Sequence, residues 1–364
     1  MKNTIGSSVQ LTVFGESHGP AVGAVLDGLA PGLRVDTAFI DAQLSRRRPS
    51  GPTDTPRVEK DRYSILGGVY GGFTTGTPIC ISIPNENVRS SDYPEGIARP
   101  SHADYAAYMK YHGFEDARGG GHFSGRVTAG IVAAGAICID ALRGRGIRLA
   151  THILSCAGVT DRGFGGSVEE IDAIEGSSFP VLLPEAGKAM TEAILEARAE
   201  GDSVGGVVQT CILGLPAGLG EPWFDSLESL ISHAVFSIGG IKGIEFGDGF
   251  ALASMRGSEA NDAFGISDGR VVTETNRNGG INGGISNGMP VLFNMAVKPT
   301  PSIAKVQQTV DFIHGTPATL ELKGRHDPAI VRRVCVVVTS VVAVVLCDIL
   351  AQRYGTDWIA SPGI

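Results

Sequence analysis

No two cysteines in this chain stand as C-x-x-C. The six that occur, at positions 80, 138, 156, 211, 335 and 347, are scattered, several of them inside apolar runs. That spacing argues against a zinc site and a disulfide framework, and for buried thiols. Aromatic residues are few, 6% of the total. No long basic stripe interrupts a formal charge of −8, so nucleic acid is a poor partner, and an anionic small molecule must find locally concentrated arginines. The longest apolar run, 334–347, is 14 residues long, short for a membrane span and suited to a buried helix. The opening MKNTIGSSVQ has no signal-peptide core. A cytoplasmic protein with no membrane contact is the expectation.

Glycine is abundant, with 51 of 364 residues, which points to many turns or to close approach of backbone to a ligand. Hydrophobic residues make up 43% and charged residues 19%, the balance of a well-buried globular protein. The glycines also mark an internal repeat. GLAPGL (28–33) and GLPAGL (214–219) each end an apolar strand; GGFTTGTP (71–78) and GGISNGMP (283–290) each precede one; and each half closes on an apolar helix, 129–142 or 334–350. The same order twice implies duplicated halves, about 1–150 and 212–364, with 151–211 inserted, in one domain over 1–364. Strands are read at 8–14 and 21–27. Helices are read at 37–47 with Asp36 as cap, 101–111 with a Ser101–Asp104 capping box, 185–200, and 222–236 with Pro222 near its start. Helices apolar on every face must be covered on every side, so the fold class is α+β: helices packed between two antiparallel sheets, related by a pseudo-twofold duplication.

Chemistry-bearing residues cluster at glycine-rich turns. GESHGP (15–20) presents Ser17 and His18 between two strands; a histidine there can act as acid or base, or simply bond a nearby carbonyl. The serine comes one place too late for a nucleophile elbow. RRRP (46–49) puts Arg46, Arg47 and Arg48 at a helix end. One arginine is enough to complement the helix dipole, whereas three lean towards a clamp for phosphate or carboxylate. RPSHAD places His102 beside Arg99 and Asp104. ARGGGHFSGR (117–126) is the strongest local signal: its N–H groups could cradle a phosphate neutralised by Arg126, with Arg118 at the other end. KPTPS (298–302) and GRHDP (324–328) lie in the second half, and Asp327 could merely cap the last helix.

Taken in order, TVFGESHG, RRRP, GGVYGGFTTGTPI, RPSHADY, RGGGHFSGR, GIKGIEFGDGF, NRNGGINGGISNG, KPTPSI and GRHDP resemble the chorismate synthase family over almost the whole chain. The resemblance implies a lyase of the shikimate pathway that eliminates phosphate from 5-enolpyruvylshikimate 3-phosphate in a 1,4-trans sense, with reduced FMN (FMNH2) and no net redox change. It assigns catalysis to His18, His102, Asp327 and Ser17, and substrate binding to Arg46, Arg47, Arg48 and Arg126. FMN binding falls to His122, Phe123, Ser124, Gly239, Gly240, Gly283, Lys298, Pro299, Thr300, Pro301, Ser302 and Arg325. Arg47 also stands where NADP would be met if NADPH is the reductant; otherwise an external flavin reductase is implied. The family implies a homotetramer. The chain departs from the family after RRRP, where the next arginine is Arg57. A flavin-dependent oxidoreductase acting on an anionic substrate is the alternative activity, and a non-catalytic phospholigand-binding protein a third class.

Overall fold

A computed structural model describes residues 2–55, 59–86, 96–322 and 327–360. The expected strands flank GESHGP as an antiparallel hairpin, Gln10–Gly15 with Ala21–Asp27, in the register Gly15↔Val22. Strand Ile79–Pro84 pairs with the second of these, and Ser64–Gly67 with Ile79–Pro84, while the short Thr4–Ile5 closes the other edge. The result is a five-stranded antiparallel sheet.

The second sheet repeats this order. Strand Arg148–Cys156 pairs with Gly206–Leu213, Gly206–Leu213 with Val291–Val297, and Val291–Val297 with Ile241–Phe246; Val159–Thr160 edges it. This moves the repeat boundary. The segment 151–211 is not an insertion as a whole, because Arg148–Cys156 and Gly206–Leu213 hydrogen-bond to each other as central strands. Only 157–205, with helices Val168–Gly176 and Pro184–Ala199, lies between them. The shared motif GLPAGL begins only after Gly206–Leu213, so counting the second half from 212 left that strand and its partner Arg148–Cys156 outside it.

Two apolar helices lie between the sheets. The first, Thr128–Gly144, packs on the first sheet; the second, Val331–Tyr354, packs on the second sheet and on the first helix. The second has 24 residues, longer than the apolar run alone suggests, and its most apolar window is 94% buried within the protein. Asp348, which ends that run in sequence, is buried and accepts N–H groups from Ser7, Ser8 and Val9 at 3.1, 2.7 and 2.9 Å. One carboxylate thereby anchors the chain ahead of the first strand pair to the second core helix. The helices approach closely where Gly135 faces Ser340. All six cysteines are unpaired, five of them buried; burial pushes the thiols of Cys211 and Cys335 up to about 12, so these two stay protonated and inert.

Helix Thr37–Arg47 starts as read, with Asp36 accepting from Phe39 N at 3.1 Å. Two helix starts differ. The Ser101–Asp104 capping box does not form: Ser101 takes a φ of 60°, the helix runs Asp104–Tyr111, and the Asp104 carboxylate turns back to Arg99. The 222–236 helix is shorter, Leu227–Val235, capped by Ser226, because Trp223 adopts a φ of 74° and breaks the path from Pro222.

Candidate active site

One end of the core layer opens into a cleft of about 1240 Å³. A pocket for a single small ligand is typically about 300–1,000 Å³, so this one has room for two. Val334, Val337 and Val341 of the second core helix and Ile131 of the first form its apolar floor. The loops read as chemical in the sequence form much of its walls.

Two of the three consecutive glycines are explained by the histidines opposite them, and the third, Gly121, by the carbonyl of Asp116, against which a Cβ would clash. A Cβ on Gly119 would lie 1.9 Å from His18 Cε1 and 2.2 Å from its Nδ1, and one on Gly120 would touch His102 Cε1 at 3.4 Å. Both have φ in the left-handed region, 61° and 88°, where a side chain is disfavoured in any case. The loop therefore seats two imidazoles. Part of the loop bonds to the protein itself: Gly121 O accepts from Ser17 N at 3.0 Å, Ser124 N turns back to Gly121 O, and the Ser124 hydroxyl takes Arg126 N. Arg118, expected at one end of a cradle, pairs instead with Asp116 through two 2.8 Å bonds.

Each ring is oriented by its neighbours. His102 Nδ1 lies 2.6 Å from the Asp104 carboxylate, which only accepts, and 2.9 Å from Arg99 Nη2, which only donates; the shorter contact assigns its proton towards Asp104 and leaves Nε2 for a ligand. Burial opposes ionisation of Asp104, yet hydrogen bonds from Arg99 and His102 outweigh it and hold the carboxyl well below the usual range. By the same reasoning His122 donates Nδ1–H to Gly15 O at 2.8 Å. Asn85 ties the His18 loop to an arginine. Its amide nitrogen donates to Glu16 O and Gly19 O at 2.9 and 2.8 Å, and its oxygen accepts from Arg126 Nε at 2.9 Å.

The arginines are already engaged. Arg47 is buried and its Nη2 donates to Glu59 and to Asp61, the latter at 2.8 Å. Arg126 Nη1 donates to Asp61 and lies 3.5 Å from Glu59, and its Nη2 reaches Pro84 O at 3.1 Å. Burial alone would raise the pKa of both carboxyls; the facing guanidinia of Arg47 and Arg126 hold them below the ordinary range.

Residues 9–351 match the family described as chorismate synthase. The chain belongs to the chorismate synthase family. It is 47% identical over 363 residues to the chorismate synthase of Aeropyrum pernix, covering 98% of this chain and 96% of that one. Against that of Methanosarcina mazei it is 45% identical, with 95% of each chain covered. A crystal structure of a chorismate synthase superposes with a TM-score of 0.76 at 29% identity, over 97% of this chain and 94% of that one. The family makes this chain a phosphate-eliminating lyase with the α+β fold described above.

Most residues assigned through the family resemblance line the one cleft: Ser17, His18, Arg47, His102, His122, Phe123, Ser124, Arg126, Gly239, Gly240, Lys298–Ser302 and Asp327. Lys298 N bonds Gly240 O at 2.9 Å, joining two of these segments. Asp327 is no helix cap: it accepts from Thr55 N at 3.0 Å and from Arg333, and the helix starts without a side-chain cap.

Three assigned residues lie away from the cleft. Arg46 points to Gln43 Oε1 at 3.1 Å and Ile174 O at 3.4 Å. Arg48 stands behind Asp61, 3.8 Å from it. Successive helical residues point about 100° apart, so Arg46 and Arg47 cannot both face one ligand, and Arg48 has already left the helix with extended backbone. Gly283 forms the turn between Ile281–Asn282 and Ile285–Ser286. Arg47, buried under two carboxylates, has no open face for NADP as the structure stands. Arg325 and Arg57 fall outside the described residues.

Glu59, Asp61 and Asn85 were missed by the sequence reading. No motif marks them, and an acidic chain has carboxylates to spare; only the contact with Arg47 and Arg126 singles them out. Asp61→Asn should destabilise the fold by about 3 kcal/mol in denaturant unfolding, since it leaves buried guanidinium charge without its partner. The depressed pKa values of Glu59, Asp61 and Asp104 give stability that is complete above the unfolded carboxylate value of about 4 and is lost as the pH falls below it. Tm should therefore drop steeply from about pH 5 to pH 3, and less steeply in Asp61→Asn.

Proposed function

We propose that this chain converts 5-enolpyruvylshikimate 3-phosphate to chorismate by 1,4-trans elimination of phosphate with reduced FMN bound. The observation that carries this reading is the seating of His18 and His102 on neighbouring glycines of one loop, in a cleft roomy enough for cofactor and substrate together.

The residues present fit a flavin nucleotide. Thr300 Oγ1 is buried without a hydrogen-bond partner among the described residues, Lys298 Nζ brings an ammonium to the same wall, and a Cβ on Gly239 would meet open space. Lys298–Ser302, Gly239, Gly240 and His122–Ser124 would hold it. Held there, reduced FMN would supply electron density for phosphate departure and a site for the hydrogen the substrate loses. His18 gives its proton to the departing phosphate, where general acid catalysis is worth about 10²–10⁴-fold. His102, fixed at Nδ1 by Asp104, presents Nε2 to hold or exchange a proton beside the cofactor. Asp327, oriented by Thr55 N and Arg333, serves with Ser17 as acceptor for the proton the reaction releases.

We further infer a cytoplasmic enzyme, in keeping with its microbial biosynthetic relatives. A homotetramer would cover apolar side chains such as Phe264, Ile266 and Val271, which stand exposed on the Phe264–Ser267/Arg270–Thr273 hairpin.

An anaerobic assay with prereduced FMN tests the reaction: phosphate and chorismate should form while the flavin stays reduced. Flavin reoxidised in step with product would replace this reading with an oxidoreductase. His18→Ala should cut turnover by about 10²-fold or more, and wild-type turnover in folded His18→Ala would remove histidine from the acid role.

A further inference from the structure

We propose that Glu59 is an internal stand-in for the substrate: its carboxylate occupies the guanidinium groups of Arg47 and Arg126 in the free enzyme and yields that place to an oxyanion group of the substrate, while Asp61 stays and holds the two arginines in register. The inference deepens the elimination reading, whose substrate carries a phosphate and two carboxylates.

Access decides which contacts can change. Arg126 uses Nε on Asn85 and Nη2 on Pro84 O, so only Nη1 faces the carboxylates. Arg47 presents Nη2 to the same two carboxylates. An anion that engages either arginine where the carboxylates now sit must displace one of them. Asp61 has no exposed side-chain surface and contacts Arg47, Arg126 and, at 3.8 Å, Arg48. Both carboxylates border the cleft, but Glu59 is 17% exposed and meets Arg126 at the longer distance of 3.5 Å. It is the carboxylate that can leave.

Charge points the same way. Arg47, Arg48 and Arg126 against Glu59 and Asp61 leave one net positive charge; withdrawing Glu59 leaves two, the complement of a phosphate dianion. Glu59 and Asp61 also repel each other, so Glu59 is bound less firmly than its two ion pairs alone suggest. A phosphate brings more charge and more acceptor oxygens to a guanidinium than one carboxylate does. With Glu59 in place the arginines keep their geometry between turnovers, and a ligand lacking an oxyanion cannot take them over.

The test is calorimetric titration of inorganic phosphate, and separately of a cyclohexene carboxylate, into wild type, Glu59→Gln and Glu59→Asp at low salt. Removing one competing charge should tighten binding of at least one probe about fivefold or more in Glu59→Gln, the factor for a unit charge at about 4 Å even in the fully screened limit. Glu59→Asp should stay near wild type, and KM for the substrate should fall in Glu59→Gln. Tightening for phosphate alone assigns the position to the phosphate group, and for the carboxylate alone to the ring carboxylate. Unchanged or weaker binding of both probes by folded Glu59→Gln overturns the proposal; should that variant not fold, Glu59→Ala is read the same way. These titrations need no turnover, so a wild type that binds phosphate yet makes no chorismate would sink the reaction assignment and not this one.

Discussion

Gly119→Ala should lower kcat by about 10²-fold or more while costing the fold only about 1 kcal/mol. The added methyl would sit 1.9 Å from His18 Cε1, so the imidazole must leave its seat. The fold can tolerate that, because the far end of one side chain gives way and not a packed layer, and the remaining cost is that of placing alanine at a φ of 61°. Catalysis cannot tolerate it, because misplacing a reacting group by about 1 Å is enough for a loss of that size. In a His18→Ala background the same change should cost almost nothing further, since the group it displaces is gone. Anaerobic turnover of the four proteins in that cycle, alongside their Tm values, checks it. A Gly119→Ala enzyme of wild-type kcat would mean that His18 does its work from somewhere other than this seat.

Gly135→Ala should show the reverse pattern, a structural loss of about 3 kcal/mol or more. Helix propensity alone favours alanine by about 1 kcal/mol at an interior helical position, so the sign of the measured change is diagnostic. A Cβ here would lie 2.4 Å from Ser340 Cβ and 2.7 Å from its Cα and carbonyl oxygen. Those atoms belong to the second core helix, which is itself pressed against the second sheet, and no flexible side-chain end can move aside. Denaturant unfolding of the two proteins, with the midpoint compared at unchanged slope, reads the effect. Equal or greater stability in the variant would show that the two core helices are not in contact at this point.

The legible parts of the molecule were those set by short-range rules. Gln10–Gly15 and Ala21–Asp27 could be read because apolar runs bounded by glycine and proline make strands, and Thr37–Arg47 because Asp36 is a good cap next to helical periodicity. The Ser101–Asp104 capping box failed because Asp104 had a stronger offer from Arg99 and His102, which the local pattern does not weigh. The arginine run misled for a related reason: adjacency in sequence places Arg46 and Arg47 on different sides of one helix. Glycines 119–121 stood out in the sequence as a ligand loop, yet what they accommodate at Gly119 and Gly120 is two imidazole rings of the protein itself.

By itself the sequence determined the local elements, the two apolar helices that demand cover on every face, and an ordered set of motifs specific enough to identify the family. Those depend on periodicity, turn chemistry and residue identity, all of which are written along the chain. Only the tertiary structure decided that Glu59 and Asp61 face Arg47 and Arg126, that Asn85 joins the His18 loop to Arg126, and where the duplicated halves divide. Each is a pairing of residues from separate elements, made by how the sheets and helices stack, and no local pattern encodes which residue will stand opposite.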